Sequence, residues 1–147
     1  MLPCRSELEE LGGLVEWVQA LPADEILLAD IGVLCSRRTD VGRVQGALRA
    51  AGIDTFALRA GTADDRSIPG VRITTMHRAK GLEFFAVAIP FLSETTYPPA
   101  GALKAAVDAA DRADIINQNR SLLHVAATLA KRALRISWSG TPTSLIK

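Results

Sequence analysis

The sequence is poor in cysteine, histidine and aromatic residues. It has two cysteines, two histidines and 5% aromatic residues among 147 positions. Cys4 and Cys35 do not have the spacing of metal ligands, and no signal peptide precedes them. We therefore expect reduced thiols in a cytoplasmic protein, with neither a disulfide nor a metal site. No apolar run approaches the roughly 20 residues that a membrane span requires, so we expect no membrane partner.

An excess of charge of one sign is also lacking. The formal net charge is +1, and charged residues make up 22% of the chain against 48% hydrophobic residues. This composition is that of an ordinary globular protein and excludes a disordered or fibrous chain. Because the net charge creates no overall attraction to nucleic acid, such a partner would have to be bound by a local basic patch.

The sequence contains no Walker A loop. No GxxxxGK[ST] string occurs in it, so the phosphate-binding loop of an ATPase would have to come from another chain or domain. Residues 26–30, ILLAD, resemble a Walker B strand with its terminal aspartate. Without a phosphate loop beside them, we interpret these residues as the approach to the first strand.

The spacing of apolar residues predicts strands that alternate with helices. Helices are predicted over residues 6–21, 40–51 and 102–133, and strands over residues 31–35, 54–58, 71–74, 82–90 and 134–138. Ser6 is the predicted N-cap of the first helix, Pro22 ends it, and Gly52 occupies the capping position after the second. The alternation favours a three-layer α/β fold with a mainly parallel sheet.

Polar side chains that suit phosphate and sugar contacts are concentrated after the strand predicted over residues 71–74. They are Thr74, Thr75, His77, Lys80 and Glu83. In an open parallel sheet, loops at the carboxyl ends of the strands form the ligand crevice, so we expect a binding site there. The alternative is that the two threonines cap a helix or turn and that the lysine is a solvated turn residue.

Residues 75–84, TMHRAKGLEF, resemble motif V of the UvrD/Rep-type superfamily 1 DNA helicases. The family pattern, Thr-x-His-x-Ala-Lys-Gly-Leu-Glu-Phe, is matched at all eight fixed positions. The resemblance implies a RecA-like, P-loop NTPase-like C-terminal (2A) domain. It also implies that this segment joins the two ligands. DNA contacts are expected at Thr74, Thr75, His77 and Lys80, and nucleotide contacts at Gly81 and Glu83.

Residues 120–134, RSLLHVAATLAKRAL, resemble motif VI of the same family. Arg120 matches a family arginine and is expected to contact the nucleotide. Leu129, however, stands where the family has its arginine finger, which is typically worth about 10³ to 10⁵ in rate. If the helix continues past this point, Lys131 and Arg132 lie roughly 200° and 300° around it from Leu129. Arg132 is then the better replacement.

Residues 31–52 resemble motif IV and the helix that follows it. An ungapped alignment places Ser36 at the position of the family arginine. Arg37 and Arg38 are adjacent, and they are either γ-phosphate contacts or solvated loop charges. Fewer than 20 residues separate Gly52 from Val71, too few for the 2B subdomain that larger family members insert near this point.

These resemblances predict an N-terminal helix over residues 1–24 and a 2A domain without 2B insertion over residues 25–147. The expected function is that of the C-terminal motor half of an ATP-dependent DNA helicase, which couples nucleotide state to single-stranded DNA. ATP and Mg²⁺ would be used only with a partner half that supplies the Walker motifs, so the chain alone should be inactive. The alternatives are a non-catalytic module that binds single-stranded nucleic acid and a decayed copy without function.

Overall fold

The sheet of this protein is six-stranded and parallel. The computed structural model describes residues 2–21, 25–58 and 63–146. Its strands are β1 (Leu2–Cys4), β2 (Ile31–Cys35), β3 (Thr55–Ala57), β4 (Val71–Thr75), β5 (Phe84–Ile89) and β6 (Ala130–Ser139). They lie in the order β1-β6-β5-β2-β4-β3, and every ladder between them is parallel.

Four α-helices cover the two faces of this sheet. They are α1 (Glu7–Ala20), α2 (Arg38–Ala50), α3 (Ala100–Lys104) and α4 (Ala109–Thr128). Side chains of α1 and α2, such as Leu14 and Val44, pack with Val33 of β2 on one face. Side chains of α4, such as Leu122, pack with Leu34 of β2 on the other. Because neighbouring strand residues point to opposite faces, the sheet is buried on both sides. The predicted three-layer α/β fold with a parallel sheet is confirmed.

The helix caps follow the sequence signals. The Ser6 hydroxyl accepts a hydrogen bond from the backbone N–H of Glu9 at 3.1 Å and begins α1. Gly52 follows α2 with φ of +79°, and its N–H donates to the carbonyl of Arg49. This left-handed conformation is the reason for a glycine there. Pro22, the predicted end of the first helix, lies outside the described residues.

Helix α1 is joined to the sheet through a buried carboxylate. The Oε1 atom of Glu10 accepts hydrogen bonds from the backbone N–H of Phe91 and from the hydroxyl of Ser137, both at 2.8 Å. Glu10 is fully buried, and its other oxygen has no hydrogen-bond partner among the described residues. Burial is the largest influence and raises the pKa of Glu10 above its ordinary value. The N-terminal helix therefore packs into the same core as the rest of the chain.

The predicted boundaries next to β6 were wrong, and the helix predicted over residues 102–133 is interrupted between α3 and α4. The helix predicted up to residue 133 ends at Thr128, and β6 begins at Ala130 instead of Leu134. Helical spacing of apolar residues continues into a segment whose backbone pairs with β5, so the pairing decides the structure. Strand β1 was not predicted. It has only three residues, one of them Pro3, and forms the sheet edge where a proline is tolerated.

A fully buried arginine organises the loop before β4. The guanidinium of Arg72 donates to the Asp64 carboxylate at 2.9 Å and to the backbone carbonyls of Asp65, Ile68 and Gly70 at 2.8 to 2.9 Å. It also lies 4.8 Å from the centroid of the Phe56 ring. Arg72 thus fixes residues 64–70 of the polar loop before β4.

Residues 76–83 run from the C-terminal end of β4 to the N-terminal end of β5 without forming a helix. Thr75 lies opposite Cys35 of β2, and Ala86 lies opposite Ile31 on the other side of that strand. The chain must therefore descend about six residue positions, roughly 20 Å at the rise of a β-strand, between the end of β4 and the start of β5. Met76 and Ala79 are buried against the α4 face during this descent. The segment with the motif V pattern is thus a short crossover.

Candidate functional site

The crossover begins with a tight turn that Thr75 fixes. Its hydroxyl accepts a hydrogen bond from the backbone N–H of Arg78 at 3.3 Å, and its carbonyl accepts from the N–H of Ala79 at 3.1 Å. His77, Arg78 and Lys80 are exposed on this turn. Thr75 therefore caps this turn, as the alternative interpretation of the two threonines predicted. The same turn holds three basic side chains outward.

An open cleft of about 900 Å³ lies between this turn and the N-terminal end of α2. Its described polar lining consists of Arg38, Thr39, Thr75, His77, Arg78 and Lys80. Within the described ranges, no carboxylate lines this cleft. It lies where β2 and β4 end, the edge at which open parallel sheets bind ligands. We name it the basic cleft, and its charge suits an anionic ligand.

Thr74 does not line the basic cleft. It is fully buried, and its hydroxyl donates to the carbonyl of Leu58 at 3.1 Å. Thr74 and Thr75 are neighbours on a strand, so their side chains point to opposite faces of the sheet. The expected DNA contact of Thr74 is therefore corrected: its hydroxyl holds the end of β3 to β4.

Arg37 is held by carboxylates beside the basic cleft. Its guanidinium donates to both oxygens of Asp40, at 2.8 and 3.0 Å, and lies 3.7 Å from Glu7 of α1. The Asp40 hydrogen bonds raise the pKa of Arg37 further above its ordinary value. Arg43 also contacts Asp40 and Glu7, at 3.1 and 3.2 Å. Of the two arginines that the motif IV resemblance left open, Arg38 therefore lines the cleft and Arg37 braces α1 against α2.

Gly81 and Glu83 are the expected nucleotide contacts of the crossover. They lie towards the N-terminal ends of the strands, away from the basic cleft. Glu83 immediately precedes β5, and its carboxylate is 3.2 Å from the ammonium of Lys131 near the start of β6. Gly81 has φ of +85°, and a Cβ there would meet nothing within 4 Å. Its backbone conformation alone therefore requires glycine. Because β2 and β5 are parallel, Glu83 at the start of β5 and Arg38 beyond the end of β2 are far apart along the strands.

Leu129 lies between α4 and β6. It is the C-cap of α4, its carbonyl accepts from the N–H of Phe84 at 3.1 Å, and its side chain packs against the α4-side core. Lys131 and Arg132 lie on β6, so the helical angles assumed for them were wrong. The guanidinium of Arg132 lies 5.9 Å from the centroid of the Phe85 ring, whereas Lys131 contacts Glu83. Lys131 is thus the cation beside the expected ribose contact.

A sequence profile of the UvrD-like helicase C-terminal domain matches residues 53–141, which is 89 of the 147 residues. The chain belongs to this family. The match includes the crossover and the segment from Arg120 to Leu134, so it confirms the resemblance based on motifs V and VI. A search of curated proteins finds no significant match to this UvrD-like domain.

A solved structure supports the fold of this UvrD-like domain. The C-terminal domain of a possible DNA helicase from Lactobacillus plantarum WCFS1 superposes with a TM-score of 0.67 at 16% identity, covering 98% of this chain and 75% of that one. A complex of the arterivirus nonstructural protein 10 helicase with DNA gives a TM-score of 0.48 at 14% identity, covering 95% of this chain and 28% of that one. The first likeness shows the RecA-like fold of a helicase C-terminal domain.

In the part of the UvrD-like domain that the structure describes, the expected nucleotide contacts are not gathered in one place. Glu83 and Arg38 lie at opposite edges of the sheet, and Arg120 is on α4, where its guanidinium donates to Asn117 at 2.8 Å. Among the residues that the structure describes, no group of three histidine, cysteine, aspartate or glutamate side chains could hold a metal ion.

Sequence reasoning missed two residues of the basic cleft, Thr39 and Arg78. Arg78 occupies a variable position of motif V, so the resemblance gives it no role. Its place after Thr75 in a turn was a usable signal, because a turn at a strand end exposes its central residues.

No helix in the described ranges is long and apolar enough to cross a membrane.

Proposed function

We propose that this UvrD-like domain binds single-stranded DNA in the basic cleft and acts as the C-terminal motor half of an ATP-dependent DNA helicase. The observation that carries the proposal is the gathering of Arg38, Thr75, His77 and Lys80 around one cleft whose described lining has no carboxylate. Lysine and arginine contacts to phosphates supply most of the affinity of sequence-independent nucleic-acid binding. No described side chain forms an ion pair or hydrogen bond with Lys80, so its ammonium can meet a phosphate.

The catalytic part of the proposal requires a second domain. A partner half with the Walker motifs would hold ATP and Mg²⁺, and this chain would approach the nucleotide with Glu83 and Gly81. The crossover joins Lys80 in the basic cleft to Glu83 at the other edge through three peptide bonds. Movement of Glu83 with the nucleotide would therefore be transmitted directly to Lys80. Such coupling requires two states of one packed element, and the crossover is the candidate.

The DNA-binding part can be tested by fluorescence anisotropy with a labelled 12-nucleotide single strand. The whole chain should bind it at low salt, and Lys80→Ala should weaken binding. The slope of log affinity against log salt should fall by roughly 0.7 for the lost phosphate contact. Lys131→Ala removes the same charge at the opposite edge of the sheet and should leave affinity and slope unchanged. Absence of binding by the unaltered chain, even at low salt, would refute the DNA-binding role.

A second candidate function is a non-catalytic module for single-stranded nucleic acid. The observation that favours it is Leu129, an apolar side chain packed in the core at the finger position. In that case the chain binds DNA but hydrolyses no ATP even when mixed with a Walker-bearing N-terminal half. Turnover by the mixture, above that of the N-terminal half alone, would support the motor function instead.

A further inference from the structure

We propose that a second cleft, on the α4 side of the crossover, receives the bases of the bound strand while the basic cleft receives its phosphates. His77 and Lys80 line both clefts, so the exposed part of the turn is a ridge between them. The far wall of the second cleft is α4, with Asp114, Asn117, Gln118 and Ser121. We name it the amide cleft; its volume is about 540 Å³. This inference rests on the proposed DNA binding and adds how the strand is oriented.

The wall formed by α4 is a mainly polar stripe with a valine at its end. Asp114, Asn117, Ser121 and Val125 recur at spacings of three and four residues, so they share one helix face. Gln118 and Ser121 form no side-chain hydrogen bond with any described residue. The Asn117 carbonyl oxygen accepts from Arg120 at 2.8 Å, which leaves the two amide hydrogens of Asn117 for a ligand. The stripe therefore presents unused donors and acceptors to the cleft.

The chemistry of the two clefts differs in a way that separates the parts of a nucleotide. Phosphate oxygens only accept hydrogen bonds and carry negative charge, so the Asp114 carboxylate disfavours them in the amide cleft. Base edges both donate and accept, and carboxylates and carboxamides are the side chains that pair with them. Arg38, Arg78 and Lys80 in the basic cleft suit the phosphates instead. A strand lying along the ridge would thus direct its bases towards α4.

The amide cleft binds bases by hydrogen bonds and aliphatic contact. No phenylalanine, tyrosine or tryptophan lines the described part of either cleft, and the imidazole of His77, which lines both, is the ring that could stack on a base there. Leu122 and Val125 supply the apolar surface, and Val125 is 40% exposed. Loss of the amides should therefore weaken base recognition, because it removes the carboxamide hydrogen bonds to the base edge.

The test compares two fluorescein-labelled 12-nucleotide strands, one of mixed sequence and one in which every base is replaced by an abasic spacer. The whole chain should bind the base-bearing strand more tightly. The double variant Asn117→Ala with Gln118→Ala should lower this preference by roughly fivefold, the value of about two modest hydrogen bonds, and leave affinity for the abasic strand unchanged. Lys80→Ala should weaken the binding of both strands.

Gln19→Ala is the matched control, because it removes an exposed carboxamide from α1, which lines neither cleft. Thermal unfolding of the double variant checks its fold, and both substitutions are at exposed helix positions. Equal affinity of the unaltered chain for the two strands, or equal losses on both strands in the double variant, would overturn the base cleft but leave the DNA-binding proposal intact. Failure to bind either strand would overturn both.

Discussion

The Lys131 ammonium lies 3.2 Å from the Glu83 carboxylate, where β5 and β6 begin. The Lys131 and Glu83 side chains are 62% and 74% exposed, so water screens this ion pair. Exposed pairs of this kind contribute only a few tenths of a kcal/mol to stability. Glu83 can therefore leave Lys131 for a ribose hydroxyl at little energetic cost.

Lys131→Ala should accordingly lower the free energy of unfolding by less than about 0.5 kcal/mol. Urea unfolding at low and high salt measures the effect, and the small difference between variant and unaltered chain should shrink at high salt. Arg5→Ala, which removes an exposed cation near β1, is the control. A loss above about 1 kcal/mol would mean that the ion pair is structural and that Glu83 is not available to a nucleotide.

Arg72→Met should destabilise the protein by about 3 to 5 kcal/mol, because it leaves the Asp64 carboxylate and three backbone carbonyls without their donor. Arg72→Lys should recover only part of this loss, since an ammonium cannot reproduce the planar fork of donors. Urea unfolding measures both. Arg66, whose side chain is 51% exposed and pairs with Asp30, is the comparison. Arg66→Ala should cost about 1 kcal/mol or less. Similar losses at positions 66 and 72 would contradict the central role of Arg72.

Leu129→Arg should raise ATP turnover when the chain is combined with a Walker-bearing N-terminal half, because it restores fixed positive charge at the finger position. The substitution also removes a partly buried side chain from the core, so stability should fall by about 1 to 2 kcal/mol. Leu129→Met keeps the packing without the charge and should leave turnover unchanged. If Leu129→Arg and Leu129→Met give the same turnover, the alignment of the finger with position 129 is wrong.

The contribution of Glu10 to the stability of the protein should decrease as pH rises through its raised pKa. Burial favours the protonated carboxyl of Glu10. Its stabilising contribution is therefore complete below the ordinary pKa of 4.5 and is lost as pH rises through the raised pKa. Glu10→Gln keeps an oxygen that can accept from Phe91 and Ser137 but has no charge to bury. The difference in unfolding free energy should therefore shift in favour of the variant between pH 4 and pH 7. Parallel pH profiles would show that the Glu10 carboxylate is not penalised by burial.

The sequence allowed the strand and helix types of the core to be predicted because their apolar periods are distinct. It failed where two periods overlap: the leucines and alanines around Leu129 fit a helix, and only pairing with β5 makes a strand from Ala130. Strand β1, with three residues that include Pro3, is too short to give a pattern of its own. Its structure depends on β6, which lies more than 130 residues away in the chain.

The site could be predicted only in part. The motif V string led to Thr75, His77 and Lys80, all of which line the basic cleft. The two-residue period of a strand could have excluded Thr74, since both neighbours cannot face one cleft. The separation of Glu83 from Arg38 could not be read from the string, because it depends on the crossover descending the whole sheet. Asp114, Asn117 and Gln118 of the amide cleft precede the motif VI segment, so no motif marked them.

Strand β1 pairs with Ser137, Trp138 and Ser139 of β6, so the first and last strands of the sheet are neighbours. During synthesis on the ribosome, residues 2–4 have no partner in the sheet until residues 137–139 have been made. Such a distant pairing carries a large loop-closure entropy and slows folding. Strand β1 can therefore pair with β6, and complete the sheet, only after translation has passed residue 139.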